Sequence, residues 1–255
     1  MSPDDYGISG KVLLLTGASA GIGEHLAGAL AARGARLAVA ARRTALLEQL
    51  VEKLSQEGAT VLPVALDLAS PDSIREAAAR VEAELGPVEI LINNAGIMND
   101  GKALEIGVDA FDQLFDINVR GTFFMTQAIA KRMIDLGIQG RIVNTASVAG
   151  MVTMPQLTAY GMTKAAIIHM TKSLAVEWAR HGLSINAVCP GYVETDMNAA
   201  FFSSEAGQKV VKSLPKRRLA DVDDLTGLFL FLISDKAARI VNGAAIAADD
   251  GYSMS

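Results

Sequence analysis

The sequence has few cysteines and no long hydrophobic run. One cysteine in 255 residues excludes a disulfide framework and any metal site built from several cysteines. Strongly apolar stretches such as Leu228–Ile233 are far too short to span a bilayer. The chain starts with acidic and polar residues, unlike a secretory signal. We therefore expect a cytoplasmic protein with no membrane partner.

Basic residues are outnumbered by acidic ones. The chain has 23 Lys and Arg against 28 Asp and Glu, a net charge of −5, and no local basic stripe. This balance argues against a nucleic-acid partner. The basic triplet 216–218 is followed by aspartates and predicts a solvated face. The three histidines are scattered without metal-ligand spacing, so no metal site is expected.

What the chain does have is apolar residues in a regular order. Half of the residues are hydrophobic (51%), and short apolar runs alternate with helical segments. This alternation predicts right-handed βαβ units and a parallel sheet with helices on both faces, in one domain over residues 1–255. The predicted strands are Lys11–Leu15, Arg36–Ala41, Thr60–Leu66, Val88–Ile92, Arg141–Asn144, Ser184–Val188 and Gly243–Ala248. The predicted helices are Gly21–Arg33, Thr44–Gln56, Asp72–Leu85, Asp109–Asp135 and Leu157–Arg180.

A glycine-rich loop follows the first predicted strand and opens the first helix. Its glycines are Gly17, Gly21 and Gly23. In this position glycines permit a tight turn and close approach of the backbone to a phosphate, and the helix N-terminus attracts a pyrophosphate. The spacing differs from the common GxGxxG fingerprint, so the strand–loop–helix context carries the prediction of a dinucleotide site.

The end of the second strand indicates which dinucleotide binds. An acidic residue there would bind a ribose 2′-hydroxyl, but Arg42 and Arg43 occupy this place. We predict NADP rather than NAD, with Arg42 pairing the 2′-phosphate. The alternative is that both arginines are ordinary surface charges beside a helix.

Tyr160 and Lys164 lie four residues apart on one predicted helical face. A cation one turn away favours the phenolate, so we expect Lys164 to lower the pKa of Tyr160 towards neutrality. Ser147 follows a strand at its carboxyl end, where open α/β sheets bind ligands. Its hydroxyl could hold a carbonyl oxygen beside Tyr160.

These motifs together resemble the short-chain dehydrogenase/reductase family, over about residues 11–251. The resemblance rests on TGASAGIG at 16–23, Asp67, NNAG at 93–96, Asn118, Ser147, YGMTK at 160–164 and PGYVETDM at 190–197. It implies a Rossmann-type doubly wound fold with seven parallel strands, and a homotetramer. Among family members, the chain looks most like the ketoacyl-carrier-protein reductases.

The resemblance also implies roles for single residues. Tyr160 would be the general acid/base, Lys164 its partner and a ribose ligand, Ser147 the residue that orients the substrate oxygen, and Asn118 the holder of a relay water. The implied cofactor-binding residues are Gly17, Ser19, Ala20, Ile22, Arg42, Asp67, Leu68, Asn94, Tyr160, Lys164, Val193 and Thr195.

The segments expected to line the substrate pocket are mostly apolar. They are 97–98, 151–157 and the substrate loop at about 192–218. This lining favours an apolar ketone or secondary alcohol as substrate. A 3-oxoacyl thioester on a carrier protein is the alternative, although Gln139 and His181 stand where those reductases use docking arginines. A cofactor-binding regulatory protein without turnover is the non-enzyme alternative. Surplus apolar residues on the two longest predicted helices suit an oligomer interface.

Overall fold

A computed structural model describes residues 6–195 and 198–254. Seven strands form one sheet, in the order β3-β2-β1-β4-β5-β6-β7, and every neighbouring pair is parallel. The predicted fold class is thereby confirmed. The strands are β1 (Val12–Thr16), β2 (Arg36–Ala41), β3 (Val61–Ala65), β4 (Ile90–Asn93), β5 (Arg141–Thr145), β6 (Ser184–Pro190) and β7 (Ala245–Ala248).

Helices connect these strands. They are α1 (Gly21–Ala31), α2 (Thr44–Gln56), α3 (Pro71–Leu85), α4 (Val108–Phe115), α5 (Thr122–Asp135), α6 (Thr158–Trp178), α7 (Ala199–Ser203), α8 (Glu205–Ser213) and α9 (Asp223–Ile233). The helical segment predicted over Asp109–Asp135 is helical throughout. A π-helical turn, Asp116–Gly121, separates α4 from α5. None of the helices within the described ranges is both long and apolar enough to cross a membrane.

The sheet is buried on both faces, which explains its uninterrupted apolar strands. Leu13 and Leu15 of β1 pack into a cluster with residues of α1, α2 and α9. Leu14, between them, packs into a second cluster with residues of α3, α5 and α6. Since successive side chains of a strand point to opposite faces, both sets must be apolar.

Local sequence signals mark the beginnings and the ends of helices, as predicted. Ser70 caps α3, accepting a hydrogen bond at Oγ from the Ser73 backbone N–H at 3.3 Å, and Pro71 is the first helical residue. Gly34, Gly58 and Gly86 all have positive φ, as expected after a helix. These turns bring each chain segment back to the sheet, so all seven strands have their carboxyl ends at one edge.

Candidate active site

The glycine loop packs against the segment after β4. Gly17 has φ +70°, and a Cβ built on it would lie 2.7 Å from the Cα of Ala95. The Asn94 side chain donates from Nδ2 to the Gly17 carbonyl oxygen at 3.2 Å. Thr16 Oγ1 accepts from the backbone N–H groups of Asn94 and Ala95, each at 3.1 Å. Asn94, predicted along the cofactor ribose, therefore holds the loop itself.

The start of α1 is suited to an anion. Its N-cap residue, Ala20, offers no side-chain hydrogen bond to the first turn. The N–H groups of that turn are therefore available for a phosphate, and the helix dipole favours negative charge there. A Cβ on Gly21 would lie 3.4 Å from Thr195 Cγ2, so the segment after β6 forms the opposite wall. This cradle fits the pyrophosphate of a dinucleotide.

The second strand ends beside the same loop. Arg43, rather than Arg42, reaches it: Nη2 of Arg43 donates to Ser19 Oγ at 2.9 Å, and Nε to the same oxygen at 3.2 Å. Arg42 is exposed next to it. Asp67 follows β3 and accepts at Oδ1 from the Ala69 backbone N–H at 3.0 Å. Arg43 is thus a candidate cofactor-binding residue that is missing from the predicted set. The pair of adjacent arginines was the sequence feature that could have indicated it.

Ser147, Tyr160 and Lys164 come together at the carboxyl end of β5. Tyr160 and Ser147 share a side-chain hydrogen bond. Lys164 Nζ donates to the Thr145 carbonyl oxygen at 2.9 Å and lies 5.5 Å from the centre of the Tyr160 ring. Gly161 permits the close approach of α6, because a Cβ there would lie 2.7 Å from the Ala149 carbonyl oxygen.

The direction predicted for the Tyr160 pKa is wrong. Burial raises the pKa of Tyr160, and the hydrogen bond with Ser147 opposes that rise. The prediction counted the charge of Lys164 and omitted the desolvation of the phenol. Burial also lowers the pKa of Lys164, to about 8. The site therefore holds a neutral phenol beside an ammonium that is close to losing its proton.

Asn118 lies in the π-helical turn and ties three segments together. Its Oδ1 accepts from the Ile97 backbone N–H, and its Nδ2 donates to the Ile97 carbonyl oxygen, both at 2.8 Å. Nδ2 also lies 3.2 Å from Thr163 Oγ1 on α6. A Cβ on Gly96 would lie 3.2 Å from Asn118 Oδ1 and 3.5 Å from Lys164 Nζ. Asn118 and Lys164 thus border the same small space.

A buried polar ladder, missed from the sequence, supports these residues from beneath. Asn93 Nδ2 donates to Thr126 Oγ1 at 2.8 Å and to Asn144 Oδ1 at 2.9 Å. Asn144 Nδ2 donates to Thr171 Oγ1 at 2.9 Å. The ladder joins α5 and α6 through β4 and β5. Its sequence signal is an asparagine inside each of two otherwise apolar strands.

Cys189 is structural, as its apolar neighbours predict. Its side chain is fully buried, and burial raises the pKa of the thiol to about 11. The Ser147 backbone N–H donates to this sulfur, so Cys189 supports the turn that carries Ser147. Within residues 6–195 and 198–254, no three His, Cys, Asp or Glu side chains cluster as metal ligands would.

Apolar side chains project from the segments predicted to line the substrate pocket. Met98, Met151 and Phe201 are 64%, 41% and 50% exposed. The first two segments are connected, since the Gly101 N–H donates to the Gln156 carbonyl oxygen at 2.9 Å. In the third, Val193 bridges to Ala220 in parallel fashion. The motif residues Asp196 and Met197 lie outside the described residues.

Comparison with known proteins gives relatives over nearly the whole chain. The model of the short chain dehydrogenase family matches residues 11–206. Gluconate 5-dehydrogenase of Gluconobacter oxydans is 36% identical, covering 99% of this chain and 98% of its own. Carbonyl reductase (NADPH) 2 of Sus scrofa is 37% identical, covering 97% and 98%.

A solved relative has the same fold. The gluconate 5-dehydrogenase of Burkholderia cenocepacia, crystallised with NADP and tartrate, superposes with a TM-score of 0.93 at 33% identity, covering 99% of this chain and 98% of that one. The same family is indicated by the glycine loop, by the Ser147–Tyr160–Lys164 cluster and by these matches. The chain belongs to the short-chain dehydrogenase/reductase family of oxidoreductases.

Proposed function

We propose that this protein reduces mostly apolar ketones to secondary alcohols with NADPH, and that Tyr160 is the proton donor. The observation that carries the proposal is the half-buried, neutral phenol hydrogen-bonded to Ser147 beside Lys164. A phenol whose pKa lies above its usual range is protonated at neutral pH, so it is ready to give a proton to a developing alkoxide.

Each residue of the cluster would act at a different stage of the reduction. The cofactor supplies the hydride when it is bound. The Ser147 hydroxyl holds the carbonyl oxygen against Tyr160, whose proton moves to that oxygen. The ammonium of Lys164 then stabilises the phenolate that is left. Asn118 keeps the space beside Lys164 in shape, and we retain the prediction that it holds the water that returns a proton.

The choice of NADP has two supports. The Burkholderia relative contains NADP, and Arg42 and Arg43 stand at the end of β2 where a 2′-phosphate would lie. We propose that both arginines bind the phosphate, with Arg43 fixed by Ser19. Arg42→Ala and Arg43→Ala should each lower the ratio of kcat/KM for NADP over that for NAD. If this ratio of kcat/KM values is unchanged in both variants, Arg42 and Arg43 are ordinary surface charges that do not bind the 2′-phosphate.

The substrate class is tested by oxidation of NADPH with a panel of compounds. Apolar ketones should be the best substrates because Met98, Met151 and Phe201 are exposed on the segments predicted to line the pocket. Two relatives are named for gluconate, so keto-sugar acids form a second arm, and acetoacetyl thioesters a third. If kcat/KM is highest for the keto-sugar acids or for the acetoacetyl thioesters, that class replaces the apolar ketones as the proposed substrate.

Tyr160→Phe separates an enzyme from a binding protein. Removing the hydroxyl leaves the ring and the cofactor cleft in place, so NADPH should bind with unchanged Kd. Turnover should fall by about 10²–10⁴-fold, the usual contribution of a general acid. Binding of NADPH by the unaltered protein without turnover on any arm would favour the regulatory role.

We also propose a homo-oligomer, as in the tetramer that the resemblance implies. Leu104 before α4, Val108 at the start of α4 and Val176 on α6 are 101%, 74% and 81% exposed, and an oligomer interface would cover such apolar side chains. Light scattering coupled to size exclusion measures the mass. A mass of 26.8 kDa at micromolar concentration would contradict this. A cytoplasmic location stays a prediction.

A further inference from the structure

The substrate loop touches the C-terminal segment through a pair of cations. After α8 the chain turns at Arg217, and the flanking residues both reach Asp250, just beyond β7. Lys216 Nζ donates to Asp250 Oδ1 at 2.7 Å. Arg218 Nε lies 2.9 Å from Asp250 Oδ2, an ion pair outside hydrogen-bond geometry. One carboxylate thus contacts both sides of the turn, while Arg218 also donates from Nη1 to Asp224 Oδ2 at 2.7 Å.

The backbone at both ends of this contact is unusual. Among the described residues, the non-glycine residues with positive φ are Gln156, Arg217 and Asp250. Two of these three lie in the contact. A left-handed conformation in a residue with a Cβ costs about 1–2 kcal/mol and persists where the surroundings compensate for it. At Arg217 the turn presents its two neighbours to a single partner.

Aromatic contacts reinforce the same connection. The ring of Tyr192, just after β6, lies 5.4 Å from the ring of Tyr252 and 6.1 Å from that of Phe202, both edge-on. Phe202 is on α7, and Phe201 beside it is an exposed side chain of the predicted pocket lining. The α7–α8 pair is therefore attached to the C-terminal segment by rings at one end and by ions at the other.

The two helices of the pair are tightly packed against each other. A Cβ on Gly207 of α8 would lie 2.2 Å from the Phe201 carbonyl oxygen and 2.5 Å from the Phe202 Cα. Shifting α8 therefore shifts Phe201. The Asp250 carboxylate is one-quarter exposed, and the hydrogen bond from Lys216 holds the pKa of Asp250 below its usual value. The carboxylate is charged throughout the neutral range.

We propose that Asp250 is a positioning residue for the reaction. Its carboxylate, through Lys216 and Arg218, fixes the α7–α8 pair of the predicted substrate loop and so sets the KM for the substrate. This proposal rests on the proposed function. Within the part of the chain that the structure describes, Asp250 forms no hydrogen bond or ion pair with Ser147, Tyr160 or Lys164, so it would act only through the loop.

The test compares Asp250→Asn with a matched control. Asparagine tolerates the left-handed conformation but removes the charge. Glu82→Gln is the control, because Glu82 pairs with Arg132 through both carboxylate oxygens, between α3 and α5. Asp250→Asn should raise the KM for the best ketone about three- to tenfold, because exposed ion pairs are individually weak. It should leave kcat within twofold and the Kd of NADPH unchanged, whereas Glu82→Gln should alter none of the three.

A second readout needs no turnover. Lys209 and Lys212 are exposed on α8, so trypsin reports how often that helix opens. Asp250→Asn and Lys216→Gln should both be cut at these lysines several-fold faster than the wild type, with an unchanged melting temperature. If no ketone is turned over, the proposed function fails and proteolysis alone decides on the Asp250 contact. Wild-type KM in Asp250→Asn, or wild-type cleavage at α8 in both variants, overturns the proposal.

Discussion

Replacing Gly17 with alanine tests the physical role of the glycine loop. Gly17 has φ +70°, so alanine there would cost about 1–2 kcal/mol in left-handed strain. Its Cβ would also lie 2.7 Å and 2.8 Å from two backbone atoms of Ala95, which cannot move aside as a side chain can. Overpacking of this kind costs about 1–3 kcal/mol more. The total loss is about 2–5 kcal/mol in the free energy of unfolding.

Gly58→Ala supplies the matched control. Gly58 has φ +86° and nothing within 4 Å of its built Cβ, so alanine should cost only the strain of about 1–2 kcal/mol. Urea unfolding measures both variants, provided that the slope m is unchanged. Fluorescence titration should show the Kd of NADPH raised at least about tenfold in Gly17→Ala and unchanged in Gly58→Ala, a gap of about 1.4 kcal/mol. Equal losses of stability and equal affinities would refute the close-approach argument.

Three further predictions concern buried polar groups. The pKa of Lys164 is lowered to about 8, so between pH 8 and 10.5 the unfolded chain binds a proton that the folded chain does not. The free energy of unfolding of the wild type, measured in urea, should therefore rise by about 3 kcal/mol over this pH range relative to that of Lys164→Met. Parallel plots of stability against pH for the two proteins would contradict this. The thiol of Cys189 should resist a thiol reagent at pH 8 until the protein unfolds, because its pKa is raised to about 11 and the thiolate is the reactive form. Stoichiometric labelling of the native protein would contradict this and show that Cys189 is accessible. Asn144→Leu should cost about 2–4 kcal/mol in the free energy of unfolding, because it removes the acceptor of one Asn93 hydrogen bond and the donor to Thr171; no loss would mean that the ladder does not hold α5 and α6.

The strands were predictable because both faces of a parallel sheet must be apolar. The prediction for Arg36–Ala41 matches β2 at both ends, and the remaining strands differ by a few residues. Helices with a polar face, such as Thr44–Gln56, were equally clear. The sequence prediction omitted α9, because Leu228–Ile233 is apolar on every side and its pattern has no helical period. Short α7 carries too few turns to show one. The amphipathic pattern of α8 was passed over because its residues fall in the predicted substrate loop.

The clustering of three predicted site residues could be foreseen from the sequence, whereas their electrostatics could not. Ser147, Tyr160 and Lys164 come together because β5 and α6 place their functional ends at the same edge of the sheet. The pKa of Tyr160 could not be predicted, since the burial of a phenol depends on the packing of loops that have no periodic signal. The contact of Arg43 with Ser19 likewise depends on side-chain rotamers, which the sequence leaves open.

The π-helical turn between α4 and α5 constrains how this chain can change in length. A π turn contains one residue more than the α-helical turn that it replaces. Deleting one residue within Asp116–Gly121 would restore regular α-helical turns and leave α4 and α5 in nearly the same relative orientation. Only the side chains of the π turn itself, Asn118 among them, would be redirected. A related sequence with a one-residue gap at this point would therefore keep the fold's order of strands but lose the bridge from Asn118 to Ile97 and Thr163.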